Sequence, residues 1–252
     1  FGPYFNHHHP TPRGDAVNFD GDDNEPVRQF VIDNAHQWLV EYGVDGLRLD
    51  AVHALVDGSE THILAELSTK VAEWSTQIGR PLTLIAESDL NRPDMVTPVG
   101  VTEGSRGMTM QWDDDIHHSL HAFFTGETDG YYSDFGTAET LAKAFTKVFV
   151  HDGGWSSFRE QNWGAPVDPN STHYDAASFV SFFEDHDQVG NRAAGDRPGH
   201  NGADPNIQAA AAALYLLGPF TPMIFMGEEW AASTPFPFFS DLGPDLGPMA
   251  TT

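Results

Sequence analysis

Short apolar runs of strand length alternate along this chain with segments whose apolar residues recur every three or four positions. Pro26 opens the first helical segment, in which Val27, Phe30, Val31, Ala35, Trp38, Leu39 and Tyr42 keep the helical period up to Gly43. Residues 44–50 then form an apolar run too short for another helix. Ile63, Leu64, Leu67, Val71, Trp74 and Ile78 restore the helical period as far as Gly79, and 82–87 reads as a second strand. The same pattern predicts strands over 107–112, 178–183 and 222–226. It predicts helices over 114–125 and 137–150, and a third, capped by Asp204 and started by Pro205, that ends at Gly218. Five strands of this kind, alternating with helices, imply a parallel sheet covered by helices, so the fold class is α/β. A closed eight-stranded barrel fits in roughly 250 residues when its loops are short. With about five strands in 252 residues, either the sheet is open or the chain is a partial (β/α)8 TIM barrel, and a helix as its first element favours a piece of a larger α/β unit.

Charge narrows the function. The chain has 12 Lys plus Arg against 37 Asp plus Glu, a net charge of −25. Nucleic acids bind by exchanging counterions for Lys and Arg, so a nucleic-acid partner is excluded, and an anionic membrane surface is disfavoured for the same reason. No apolar run approaches the ~20 residues a membrane helix needs. A hydrophobic content of 40% is too high for an acidic disordered tail. With no cysteine, carboxylates and histidines are left to carry any chemistry. An acidic, lysine-poor surface suits a salt-rich cytoplasm, and a cytoplasmic location is expected.

Each predicted strand ends in acid: Asp50, Glu87, Asp113 to Asp115, Asp185 with Asp187, and Glu228 with Glu229. The carboxyl ends of parallel strands are where α/β barrels build their sites. Arg48 and Asp50, two apart on a strand, share a face, and an arginine beside an aspartate favours the ionised form that a carboxylate nucleophile needs. Glu87 follows Leu84-Ile85-Ala86, a setting that desolvates a carboxyl and suits it to general acid work. Two carboxyls in opposed environments are what glycoside hydrolysis uses, and a retaining enzyme would hold them roughly 5 to 5.5 Å apart. His186 and Asp187 add a donor and a third carboxylate, suited to sugar hydroxyls and to positive charge on the ring. Trp112, Tyr131 and Tyr132 would offer stacking surfaces, though aromatics are more often core. The His7-His8-His9 run is expected in a Pro-rich loop.

These residues resemble motifs of the α-amylase superfamily of retaining glycosidases, glycoside hydrolase family thirteen. Gly46-Leu-Arg-Leu-Asp50-Ala-Val-His53 is similar to its fourth-strand motif, Leu84-Ile-Ala-Glu87-Ser to the fifth, and His186-Asp187 to the seventh. The stretches 50–55, 86–91, 111–118, 130–136, 186–192 and 226–236 narrow the resemblance to a branch whose substrate is malto-oligosyltrehalose, cut at the α-1,4 bond next to its terminal trehalose. The resemblance implies strands four to eight of the barrel over residues 1–252. An N-terminal β-domain, the first three strands and a C-terminal β-domain would lie outside this sequence. It further implies Asp50 as nucleophile, Glu87 as acid and then base, and Asp187 as transition-state stabiliser. Arg48 and His186 would hold the site together, His53 would contact the leaving sugar, and Trp112, Asp113, Asp114, Asp115 and Gln188 would make further substrate contacts. No metal or organic cofactor is implied. Asp185 departs from the Asn usual before His-Asp and adds a negative charge.

Other readings share parts of this pattern. A branching or debranching enzyme keeps the same three carboxylates. A metal-dependent barrel hydrolase would use His117, His121, Asp185 and His186 as ligands, and a carbohydrate-binding relic would use the cleft without turnover.

Overall fold

The computed structural model describes residues 2–11, 14–198 and 206–238. An antiparallel hairpin of β1 (Phe5–Thr11) and β2 (Gly14–Val17) comes first. The elements α1 (Glu25–His36), β3 (Gly46–Leu49), α2 (Ile63–Ile78), β4 (Thr83–Ala86), β5 (Met110–Trp112), α3 (Asp114–Thr125) and α4 (Ala138–Lys147) follow. After a small ladder of β6 (Trp155–Ser156) and β7 (Gln161–Asn162) come β8 (Phe179–Ser181), the short α5 (His186–Gly190), α6 (Asn206–Leu217) and β9 (Thr221–Pro222). The predicted helices and strands are all there. The last strand is shorter than its apolar run, and the Asp204-Pro205 start of α6 lies outside the described residues.

Helix ends follow local chemistry. α2 closes on Gly79 and α3 on Gly126, at φ 65° and 77°, left-handed positions that glycine adopts at no steric cost. Thr137 caps α4 through a reciprocal capping box with Thr140. α1 runs into a π-helical turn at Gln37–Glu41, with the Tyr42 amide donating to the Gln37 carbonyl at 2.9 Å. Of its predicted apolar stripe, Val27, Ala35 and Leu39 are buried, and Ile32 joins them. Phe30, Trp38 and Tyr42 are exposed, so the core-facing stripe is narrower than the periodicity implied.

The five-stranded sheet has the order β3-β4-β5-β8-β9 with every pair parallel, and its two edge strands do not meet. It is an open α/β sheet, as part of a barrel would leave it. One core packs α1 and α2 on β3 and β4 through Ile32, Leu39, Leu67, Val71 and Leu84. A second packs α3, α4 and α6 on β8 through Ile116, Leu120, Phe149, Phe179, Phe183 and Tyr215. Burying these side chains stabilises the fold by about 1.5–3 kcal/mol each before chain entropy is counted. Because the strands are parallel and in register, their carboxyl ends emerge along one edge, which carries the site. Among the described residues, no helix is long and apolar enough to cross a membrane.

Candidate active site

Asp50 follows directly on β3, and Arg48, two residues before it on the strand, faces the same way. One Arg48 Nη1 donates to the Asp50 carboxylate, while Nη2 lies 3.7 Å from Glu87 Oε2 at the end of β4. Its guanidinium carbon sits 4.4 Å from the centroid of the Trp112 ring, at the end of β5. Three strand ends therefore meet around one arginine. Ala51, just past Asp50, turns left-handed at φ 44°, which aims its amide at the Glu87 carboxylate. The Glu87 amide bonds the Leu49 carbonyl at 3.0 Å, and Val52 bonds the Glu87 carbonyl at 3.1 Å, so the turns after β3 and β4 are stitched together. The Glu87 side chain is 18% exposed and that of Asp50 75% exposed. Glu87 is nonetheless less isolated than its apolar run implied, since Arg48 and the Ala51 amide both face it.

After β8, Asp185 caps α5 by accepting from the Gln188 amide at 2.6 Å. An Asn would make the same bond through its side-chain oxygen, so the departure at this position preserves the turn. Burial, with Asp187 adding repulsion, pushes the Asp185 carboxyl up to about 6. Asp187, in the first turn of α5, holds His186 Nε2 at 3.3 Å and stays open to solvent. Asp50, Glu87 and Asp187 line one open cleft of about 560 Å³, together with His53. His53 Nδ1 is 3.8 Å from Asp89, which Arg159 also binds at 2.8 Å.

Several expected contacts sit elsewhere. Asp113 is fully buried as the cap of α3, accepting from the Ile116 amide at 3.2 Å, and burial with the neighbouring Asp115 pushes its carboxyl well up. Asp115 is also interior. Burial opposes its charge, but His151 and the amides of Val150 and His151, both at 2.8 Å, hold its carboxyl low. Of the three acids, only Asp114 lies near the charges of the site. Burial and the approach of Asp185 and Glu87 push it well up. Trp112 has one ring face covered by Arg48, and Gln188 accepts from the Tyr131 hydroxyl at 2.9 Å, away from the cleft lining. Glu228 is buried and accepts from Tyr215 at 2.7 Å. β9 stops at Pro222, so Glu228 and Glu229 are not strand-end acids.

The metal-ligand alternative does not assemble. His117 bonds the Tyr132 hydroxyl at 3.1 Å and His121 bonds Glu127 at 2.8 Å, while Asp185 and His186 are engaged in α5. Among the described residues, no group of three or more His, Asp or Glu is placed to hold a metal ion. The His7-His8-His9 run is strand rather than loop. It forms a bulge in β1, where the register slips between Asn6 and Pro10, with His7 on Asp15 and His9 on Asp20. The hairpin it belongs to supplies Thr11, Asp15, Ala16 and Val17 to the cleft, a contribution the sequence reading missed. Pro12 and Gly14, turn-forming residue types between two short runs, were the signal available in the sequence.

An open parallel α/β sheet whose carboxyl edge gathers three carboxylates in one cleft has the layout of part of an α/β barrel. A candidate alpha amylase from Salmonella typhimurium superposes on 96% of the chain with a TM-score of 0.82 and 36% identity, over 40% of its own length. Malto-oligosyltrehalose trehalohydrolases from Arthrobacter ramosus and Saccharolobus solfataricus are 52% and 43% identical over 98% and 95% of the chain. Over nearly its whole length the chain is thus similar to malto-oligosyltrehalose trehalohydrolases. It spans about two fifths of the length of these relatives, 42% and 40%. A glucan branching enzyme from Corynebacterium diphtheriae is more distant, 27% identical over 53% of the chain. No family model matches the chain.

Proposed function

We propose that this chain is the strand-four-to-eight part of a retaining α-glycosidase that hydrolyses the α-1,4 bond next to the terminal trehalose of malto-oligosyltrehalose. In this reading Asp50 attacks the anomeric carbon to form a β-glycosyl intermediate. Glu87 protonates the departing oxygen, then takes a proton from the water that hydrolyses the intermediate. Asp187 offsets the positive charge developing on the ring. Arg48 keeps Asp50 and Glu87 at one place, and the observation that carries the reading is this shared guanidinium at the head of a cleft that Asp187 also lines. The remaining barrel strands and flanking β-domains would come from the rest of the parent protein, and the isolated chain is expected to be inactive. Release of trehalose places the enzyme in trehalose formation, and its acidic, lysine-poor composition supports a cytoplasmic setting.

The test uses the full-length parent. Asp50→Asn and Glu87→Gln should each cut kcat by at least ~10³-fold, and the product of the native enzyme should retain the α configuration by NMR. Free trehalose should leave malto-oligosyltrehalose much faster than plain malto-oligosaccharides are attacked, and His53→Ala should reduce that preference. Near-native turnover by Asp50→Asn, or an inverted product, would remove the mechanism. Maltose without trehalose would remove the substrate assignment.

A further inference from the structure

The β1–β2 hairpin is one side of the cleft, and its polar groups are set in place. Asp15, on β2, is bound by His7 Nδ1 at 2.5 Å. His7 reaches it because the bulge takes the His run out of the ladder between Asn6↔Ala16 and Pro10↔Asp15. The hairpin is also tied to the loop that carries His53. Asp20, just after β2, accepts from the Asn6 side chain at 2.8 Å and the Gly58 amide at 2.9 Å, and these bonds keep its carboxyl low against the cost of burial. Buried Arg28 bonds both the Phe19 carbonyl and Asp57, each at 2.8 Å. Ala16, Val17, Leu55 and Val56 line the same cleft as Asp15 and His53. Apolar surface for the C–H face of a pyranose, beside a carboxylate that accepts from neighbouring hydroxyls, is the chemistry that recognises a sugar unit.

We propose that Asp15, held by His7, is a specificity-determining residue that binds hydroxyls of the trehalose end of the substrate, on the His53 side of the scissile bond. The inference rests on the catalytic reading of Asp50, Glu87 and Asp187. Asp15 lies on a different element from all three, so it is separable from the bond-breaking chemistry. A carboxylate that bonds substrate hydroxyls discriminates strongly between sugars that do and do not present them.

The experiment measures kcat and KM of the full-length parent on malto-oligosyltrehalose and on a maltodextrin of equal length. Asp15→Ala should lower kcat/KM on the trehalose-ended substrate about 10- to 100-fold, and on maltodextrin by less than about 3-fold. Asp15→Asn, which keeps shape and one acceptor, should fall between Asp15→Ala and the native enzyme. His7→Ala should raise KM for the trehalose-ended substrate with little change in kcat. Equal losses on both substrates, or no loss, for Asp15→Ala and Asp15→Asn would overturn the proposal. Asp50→Asn, assayed alongside, separates the two levels. If it abolishes turnover while the Asp15 variants behave as native, the inference fails alone. If it leaves turnover intact, the catalytic reading has failed.

Discussion

Glu228→Gln tests how far burial governs the acids of this fold. Glu228 is 7% exposed, accepts from the Tyr215 hydroxyl at 2.7 Å and from the Phe225 amide at 3.2 Å, and burial pushes its carboxyl up to about 7. Glu184 and Glu229 add repulsion, which the two hydrogen bonds only partly offset. In the unfolded chain the same group titrates near the ordinary glutamate value of about 4.3. Between those two pKa values the native state keeps a proton that the unfolded chain has released. The stabilisation is therefore full below about pH 4, falls as pH rises, and is gone above about pH 7. Integrated from pH 5 to pH 8, the loss is about 2.5 kcal/mol. Glutamine has the same shape and never ionises. Its oxygen can accept from Phe225 while its amide donates to Tyr215, whose hydroxyl accepts as readily as it donates. Urea unfolding followed by tryptophan fluorescence should thus find the variant more stable by about 1 kcal/mol at pH 5. At pH 8 the variant should be more stable by about 3 to 4 kcal/mol. A native-to-variant difference that does not change with pH, or one in which the native chain gains on the variant as pH rises, would refute the reasoning.

Arg197→Ala leaves Glu184, fully buried, without the guanidinium that reaches it at 2.8 Å, and should cost about 3–5 kcal/mol in the same urea experiment. Ala51→Gly removes the strain of a left-handed alanine while keeping the amide that bonds Glu87, and should raise the urea midpoint by up to about 1 kcal/mol of stability. His118 is buried, and burial first, with Arg159 nearby, holds its pKa down to about 4 despite the attraction of Asp115. Unfolding releases it to take a proton near 6.5, so stability drains away as pH falls through that range. His118→Phe should recover about 2 kcal/mol at pH 5 and nothing at pH 8, read as a lower acid-unfolding midpoint by circular dichroism.

Much of the architecture was written locally. α2 and α3 begin and end within a residue or two of where their periodic residues and glycines place them, because a helix that buries one stripe must repeat that stripe and needs a left-handed residue to stop. Arg48 and Asp50 share a face because a strand alternates, whatever packs around it. The hairpin was not legible. Its two short runs carry a histidine bulge and a proline, which erase the alternation that marks a strand. Within the run Asp113 to Asp115 nothing local separates a buried cap from a residue near the site. α3 starts at Asp114, and its first turn carries Asp115 toward the amides of Val150 and His151, 35 and 36 positions away.

The sequence alone determined the alternation of the sheet strands with their helices, its period, the parallel α/β class and the carboxylates Asp50 and Glu87 just past two strands, since each depends on residues a few positions apart. Tertiary structure decided which carboxylates share the cleft and which are sealed in the core. Asp50, Glu87 and Asp187 open on one cleft, while Asp113, Asp115 and Glu228 do not. Desolvation and pairing are set by packing and by partners from other segments, as Arg48 is to Glu87, Arg197 to Glu184 and Tyr215 to Glu228. The charge a carboxyl carries is therefore a property of the packed fold rather than of its neighbours in sequence.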